Sequence, residues 1–434
     1  MKRDLLDMGD RNGVVVPRVA VLCLLWAVCL SACRPPLTFP LVRPEAANTP
    51  TSTPDISPTA TDEADVFAGD PPGPVLTISD LPDGELLVGV GPVGNIETGF
   101  EWQVWRGLDD DWQQLTWPPE AIPLSLYSTA PGQEIYAVPF SQATYGPGQA
   151  WGVMRSDDAG GSWRQILTGL GDPYVMALSF SPHFTSDRTL YAATWYSGVF
   201  RSADAGDNWE PVPYTGQLEP SGGASPFDLA VAVSPNYAVS PQDGTPASGM
   251  VMASFGRGLH RWRAGADSWE TSPMTVTTPL KDFEPESAPV SARAIAFSPD
   301  FATDKTIYVY SGFAGMLRSV DAGESWTLVN RWLPEPMPLE VRTSLAAVSA
   351  EEAYALLPEV SNGEQAGVDS GETVFVLYRT LDGGMTWQAL QDAPTWGYVS
   401  AFQLSRTEDG VVSLLLGGSQ GGVTVSLADE LSWD

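Results

Sequence analysis

Basic residues are scarce in this chain: 22 Lys and Arg stand against 53 Asp and Glu, a formal net charge of −31. That balance argues against a nucleic-acid backbone or an anionic membrane surface as a partner held by charge. Cysteine is nearly absent. Its three copies, Cys23, Cys29 and Cys33, lie within the first 33 residues, so the remainder can form no internal disulfide. Histidine occurs only at His183 and His260, and no HExxH or CxxC motif is present. Gly417–Gly422 lacks the lysine and helix of a phosphate loop. Asp109-Asp110-Asp111 reads as a solvated turn rather than a calcium loop. No metal and no cofactor are expected. The apolar run Val19–Leu30 has twelve residues, short for a transmembrane helix and suited to the core of a secretory signal.

Lys2, Arg3, Arg11 and Arg18 precede that run, which ends in Leu30-Ser31-Ala32-Cys33. The ending resembles the lipobox of bacterial lipoproteins, which implies cleavage before Cys33, a diacylglycerol on its thiol and an extracytoplasmic protein. Arg34 follows where an aspartate would suggest retention at the inner membrane, so display at the cell surface or outer membrane is expected. From Arg34 to Pro74 the chain holds ten prolines and six threonines without a hydrophobic period. Such a segment cannot bury enough apolar area to fold and reads as a disordered tether, spanning roughly 35 Å as a coil. The expected organisation is a signal peptide over 1–32, lipidated cysteine and linker over 33–74, and a folded domain over 75–434.

Glycine (42), proline (38) and tryptophan (16) are plentiful, which suits many short strands joined by turns. Past Val75 the chain repeats itself. Ser156–Trp163, Ser202–Trp209, Ser319–Trp326 and Thr380–Trp387 align without a gap as S/T-x-D-x-G-x-x-W, each preceded by an arginine (Arg155, Arg201, Arg318, Arg379). Weaker relatives end in Trp112, Trp269 and Trp433, and the seven tryptophans lie 46–61 residues apart. A unit of that size holds about four short strands. In the third they fall at Val175–Phe180, Thr189–Thr194, Gly198–Ser202 and Trp209–Val212; in the fifth at Ala294–Phe297, Thr306–Tyr310, Met316–Ser319 and Trp326–Val329. A phrase recurs between first and second strands, Ser181-Pro-His-Phe-Thr-Ser-Asp187 and Ser298-Pro-Asp-Phe-Ala-Thr-Asp304. Only Asp434 follows Trp433. Either Val75–Ile78 completes the last unit, or it is the innermost strand of the first and the last unit has three strands; the second arrangement is favoured.

The four strong segments are similar to Asp-boxes, also called bacterial neuraminidase repeats, found in sialidases, xyloglucanase-type glycoside hydrolases, sortilin-like receptors and photosystem II assembly factors. The resemblance implies an all-β fold, a seven-bladed β-propeller, and leaves function open because those families differ. Each box residue has a structural role. Asp158, Asp204, Asp321 and Asp382 can accept turn N–H groups. Gly160, Gly206, Gly323 and Gly384 permit positive φ. Trp163, Trp209, Trp326 and Trp387 can wedge between blades. None is read as catalytic. The Arg-Ile-Pro-like sialidase signature is absent, and the second propeller of the xyloglucanase type is missing.

What remains is the face opposite the boxes, whose loops carry Trp102, Tyr145, Trp195, Tyr196, Phe255, Arg257, Phe313, Trp396 and Tyr398. Aromatic rings with polar tips among glycines suit sugar stacking or protein recognition. The expected function is a monomeric, surface-anchored, non-catalytic propeller that binds an extracytoplasmic protein or glycan and meets the membrane through its lipid only. The alternatives are a glycoside hydrolase or sialidase-like enzyme and a chaperone like the photosystem II assembly factors.

Overall fold

The structure is a computed structural model. It describes residues 67–68, 71–81, 83–95, 99–108, 111–129, 134–140, 151–214, 229–255, 258–272, 292–312, 314–334, 343–360, 373–390, 399–406, 411–427, 431 and 433. Cys33, the expected signal peptide and most of the expected linker lie outside these residues. The chain divides into two units. Of the first, Met1–Thr53 with Val360–Thr373, only two strand-end residues are described; the second, Pro54–Glu359 with Val374–Asp434, is the subject here.

Seven radial antiparallel sheets make a seven-bladed β-propeller. From the axis outward, blade one is Val75–Asp80, Leu86–Asn95, Gly99–Leu108 and Asp111–Gln114. Blade two is Ile122–Thr129, Glu134–Phe140, Met154–Ser156 and Arg164–Gln165. Blade three is Val175–Phe180, Leu190–Thr194, Gly198–Ser202 and Glu210–Pro211, and blade four is Ala230–Val233, Met250–Phe255, Gly258–Arg263 and Glu270–Thr271. Blade five is Ala294–Phe297, Ile307–Ser311, Gly315–Ser319 and Thr327–Leu328. Blade six is Ser344–Ala347, Ala353–Val360, Thr373–Thr380 and Gln388–Ala389; blade seven is Val399–Arg406, Val412–Gly418 and Val423–Leu427. The first strand of each blade neighbours the inner part of the next, and Val75–Asp80 neighbours Val399–Arg406, so the ring closes.

Of the two closures the sequence allows, the structure has the second: Val75–Asp80 pairs with Leu86–Asn95 inside blade one, and blade seven shows three strands among the described residues. Ordered structure also begins earlier than the expected boundary at Val75. Phe67–Ala68 pairs with Asp111–Trp112 as an added outer strand of blade one, and Pro72 bridges Gly421. Backbone pairing along an otherwise open edge is available to Phe67 and Ala68, neither of which is proline.

The core lies between blades. Leu87 and Val104 of blade one pack with Leu126 and Met154 of blade two. Met250 and Met252 of blade four meet Leu317 of blade five, and Val88 and Trp105 of blade one meet Leu415 of blade seven. The last contact is reinforced at the seam. Asp80 Oδ1 accepts Gln403 Nε2 at 2.7 Å, its Oδ2 accepts Ser405 Oγ at 2.8 Å, and Ser400 Oγ donates to Val75 O at 2.7 Å. Asp80→Ala strands two donors at the one junction without chain continuity. It is expected to cost about 2 kcal/mol in urea unfolding, and an unchanged midpoint would show that the seam is held by apolar packing alone.

Candidate functional site

Strand direction sorts the loops. Box turns and the links from first to second strand emerge at one end of the ring; turns from second to third strand and blade-to-blade links emerge at the other.

At the box end the turn serines, threonines and aspartates are engaged in hydrogen bonds within the turns. Ser156 Oγ donates to Asp158 Oδ1 at 2.8 Å and accepts Gly160 N at 2.7 Å, while Asp158 accepts Ser162 N at 2.8 Å and Ser162 Oγ at 2.6 Å. Asp204, Asp321 and Asp382 repeat this set. Partial burial pushes these four carboxyls up, but the donated hydrogen bonds outweigh it and hold them below the usual aspartate value. Gly160, Gly206, Gly323 and Gly384 have φ between 80° and 95°, and the residues before them (Ala159, Ala205, Ala322, Gly383) are left-handed too. The arginines reach sideways. Arg155 Nη1 donates to Ala205 O in the next blade's box turn at 3.1 Å, and Arg318 Nη2 donates to Ala350 O of blade six at 2.8 Å. Trp209 Nε1 donates to Ile166 O at 3.0 Å and Trp387 Nε1 to Val329 O at 2.8 Å, both across a blade boundary. These groups spend their bonding capacity on the fold.

The opposite end differs. Asp172, only 3% exposed, accepts backbone N–H groups from Tyr174 (3.0 Å), Tyr196 (2.6 Å) and Ser197 (3.1 Å). Burial raises its carboxyl above the usual aspartate value, and the three N–H donors oppose that rise. This buried acceptor fixes the turn Trp195-Tyr196-Ser197. The Trp195 and Tyr196 rings stack with centroids 5.4 Å apart and planes 4° from parallel, Tyr174 meets Tyr196 edge-on at 5.5 Å, and Tyr196 is 54% exposed.

The other expected face residues fare differently. Trp102 is partly buried over Gly91, where a Cβ would lie 2.6 Å from its ring. Phe255 is not on the surface. It ends a strand buried throughout, and its ring packs on His260 (4.2 Å), Tyr214 (5.2 Å) and Trp269 (5.4 Å). Tyr145, Arg257, Phe313, Trp396 and Tyr398 lie outside the described residues.

One residue of this end was not singled out from sequence. Trp332, on the link leaving blade five, is 63% exposed at φ 68°, and the Arg331 guanidinium lies 4.9 Å from its ring centroid. The Trp332 ring belongs to no repeat, which is why period-based reading passed over it.

The innermost strands carry little charge. Across all seven, Asp80 is the only carboxylate and Arg406 the only cation, and Asp80 is engaged at the seam. Among the described residues no group of three or more metal-ligating side chains comes together, and no helix is long and apolar enough to cross a membrane.

These features define an all-β propeller with box turns tied by internal hydrogen bonds at one end and aromatic loops at the other. No known protein family and no curated protein matches the chain. Among solved structures it is similar to YCF48 bound to a D1 peptide, at 18% identity, covering 85% of this chain and 98% of that one with a TM-score of 0.45. An ancestral GH74 enzyme aligns at 15% identity over 86% of this chain and 40% of its own, TM-score 0.45. Sqt1 of Saccharomyces cerevisiae aligns at 12% identity over 83% and 97%, TM-score 0.41.

Proposed function

We propose that this protein is a lipid-anchored, extracytoplasmic recognition propeller without catalysis of its own, whose loop end binds a protein or glycan partner. The observation that carries the reading is the Trp195–Tyr196 pair, presented to solvent on a turn locked by a buried carboxylate. A rigid aromatic ledge binds at small entropic cost because little remains to be ordered. Hydrolysis of a glycoside calls for two carboxyl groups about 5–10 Å apart at the reacting bond, and the innermost strands supply a single carboxylate. The lipobox-like Leu30-Ser31-Ala32-Cys33 supports the anchored, extracytoplasmic part.

The test uses the full chain on a glycan array and in pull-downs from envelope extracts. Tyr196→Ala and Trp195→Ala are expected to weaken partner binding about tenfold or more while the melting temperature stays near that of the parent. Undiminished binding by both variants refutes the reading. Labelling with a radioactive fatty acid, lost on Cys33→Ala, checks the anchor.

A further inference from the structure

We propose that Trp332 and Arg331 form the anchor for a protein segment that presents a carboxylate beside an apolar side chain and is not acidic overall. The inference builds on the reading of the loop end as a recognition face and names a partner chemistry for one part of it.

The backbone at Trp332 is strained and held so. A bulky side chain at φ 68° is a conformation that persists only where its surroundings impose it. Here they do. Asn330 Oδ1 accepts Met316 N at 2.5 Å, Asn330 Nδ2 donates to Ala314 O at 2.9 Å, and Leu333 N donates to Asn330 O at 3.0 Å. Leu333 itself is drawn into the core between blades five and six. The link is thereby pinned on both sides of Trp332, and the largest apolar side chain available is left facing solvent. Trp102 and Trp195 at this end are partly buried, whereas this link displays its indole from a left-handed backbone.

The cation beside it has no ionic partner among the described residues. Arg155, Arg164, Arg261, Arg263 and Arg379 each bind a carboxylate, and Arg201 and Arg318 bind carbonyls. Arg331 makes no hydrogen bond or ion pair with the described residues, and its guanidinium lies over the Trp332 ring. A guanidinium with no carboxylate partner among the described residues is an available site for one from outside. Tryptophan and arginine are also the residue types that dominate protein interfaces energetically.

Charge decides between occupants. One guanidinium matches one carboxylate, whereas the net charge of −31 repels a polyanion once it comes within a Debye length of about 8 Å. A nucleic acid or a sulfated or polyuronic glycan is thereby disfavoured. A neutral or basic protein segment with one acidic residue next to a leucine or phenylalanine is favoured.

The experiment presents the full chain with arrayed short peptides carrying Leu-Asp or Phe-Glu in Lys/Ser/Gly flanks, each beside its Asn or Gln counterpart, together with heparin and polygalacturonate. The expected result is about a tenfold preference for the carboxylate peptides. Arg331→Ala erases that preference, Arg331→Lys restores part of it, and Trp332→Gly lowers binding to every peptide about thirtyfold. Trp332→Gly is also expected to melt no lower than the parent, because glycine relieves the left-handed strain. Equal binding of acid and amide peptides overturns the proposal, as does a lowered melting point of Trp332→Gly, which would make the indole structural. Binding of the polyanions in place of the peptides assigns the site to a glycan and overturns it too. If Tyr196→Ala loses the natural partner while both blade-five variants keep it, this inference fails and the recognition function stands; if all of them keep it, both fail.

Discussion

Trp326→Ala is expected to lower the unfolding free energy by about 3–5 kcal/mol in urea titrations. The indole is 1% exposed and sits between Met252 and Leu259 of blade four and Leu317 of blade five. Its Nε1 donates to Ser272 Oγ at 3.1 Å, and that hydroxyl donates to Gly323 O at 2.7 Å, so one side chain joins an outer strand to the next blade's box turn. Alanine leaves a void between two sheets that cannot approach each other without deforming the ring. Trp332→Ala, six positions along, is expected to change stability by less than about 0.5 kcal/mol, since that indole is mostly exposed. A Trp326→Ala loss under about 1 kcal/mol would mean that adjacent blades do not share a core.

Acid will weaken the fold through His260 before it reaches the box carboxylates. The imidazole is buried in blade four; burial pushes it from 6.5 down to about 4, partly offset by its bond to Phe255 O at 3.1 Å. A carbonyl can only accept, so Nε2 carries the hydrogen and the folded state holds the neutral ring. The unfolded chain takes up a proton near pH 6.5 and the folded one only near 4. The stabilisation is therefore complete above pH 6.5 and is lost as pH falls toward 4, amounting to about 3 kcal/mol. Buried Asp172 and half-buried Glu359, whose carboxyls are raised by desolvation, act in the opposite sense. The measurement is thus the difference between the pH–stability profiles of the parent and His260→Gln, which keeps a donor for Phe255 O. Parallel profiles between pH 6.5 and 4 would contradict the assignment. The four box aspartates lose their contribution only lower, below about pH 4.

Much of the architecture is legible in the tryptophan period. In blade three the strands expected at Val175–Phe180 and Gly198–Ser202 are the strands found, and in blade five the innermost expected strand, Ala294–Phe297, is found unchanged. Repetition makes this possible: a fourfold-recurring turn exposes strand ends that a single copy would not. Shorter-range features escaped. The recurring Ser-Pro phrase contains one-turn helices, α1 at Phe184–Asp187 and α2 at Phe301–Asp304, each closed by a serine on the aspartate (Ser181 Oγ to Asp187 Oδ2, 2.6 Å; Ser298 Oγ to Asp304 Oδ2, 2.5 Å) and anchored by a buried phenylalanine. Four residues give no helical period to read. At the loop end Tyr196 is exposed as residue type suggested and Phe255 is buried, because exposure depends on which ring a neighbouring blade brings against it. Trp332 required a backbone angle, which no composition or spacing reveals.

The added outer strand of blade one has a mechanical consequence. A pull on the residues before Phe67 meets a two-residue pairing on the outside of the ring, and its few hydrogen bonds separate one after another rather than in parallel. The nine residues from Phe67 to Val75 have a contour of roughly 25 Å, and the Pro72–Gly421 bridge must also part before force reaches the innermost strand. A propeller pulled by its N-terminal segment would thus yield first at a fastening that can re-form, while the seven sheets stay closed.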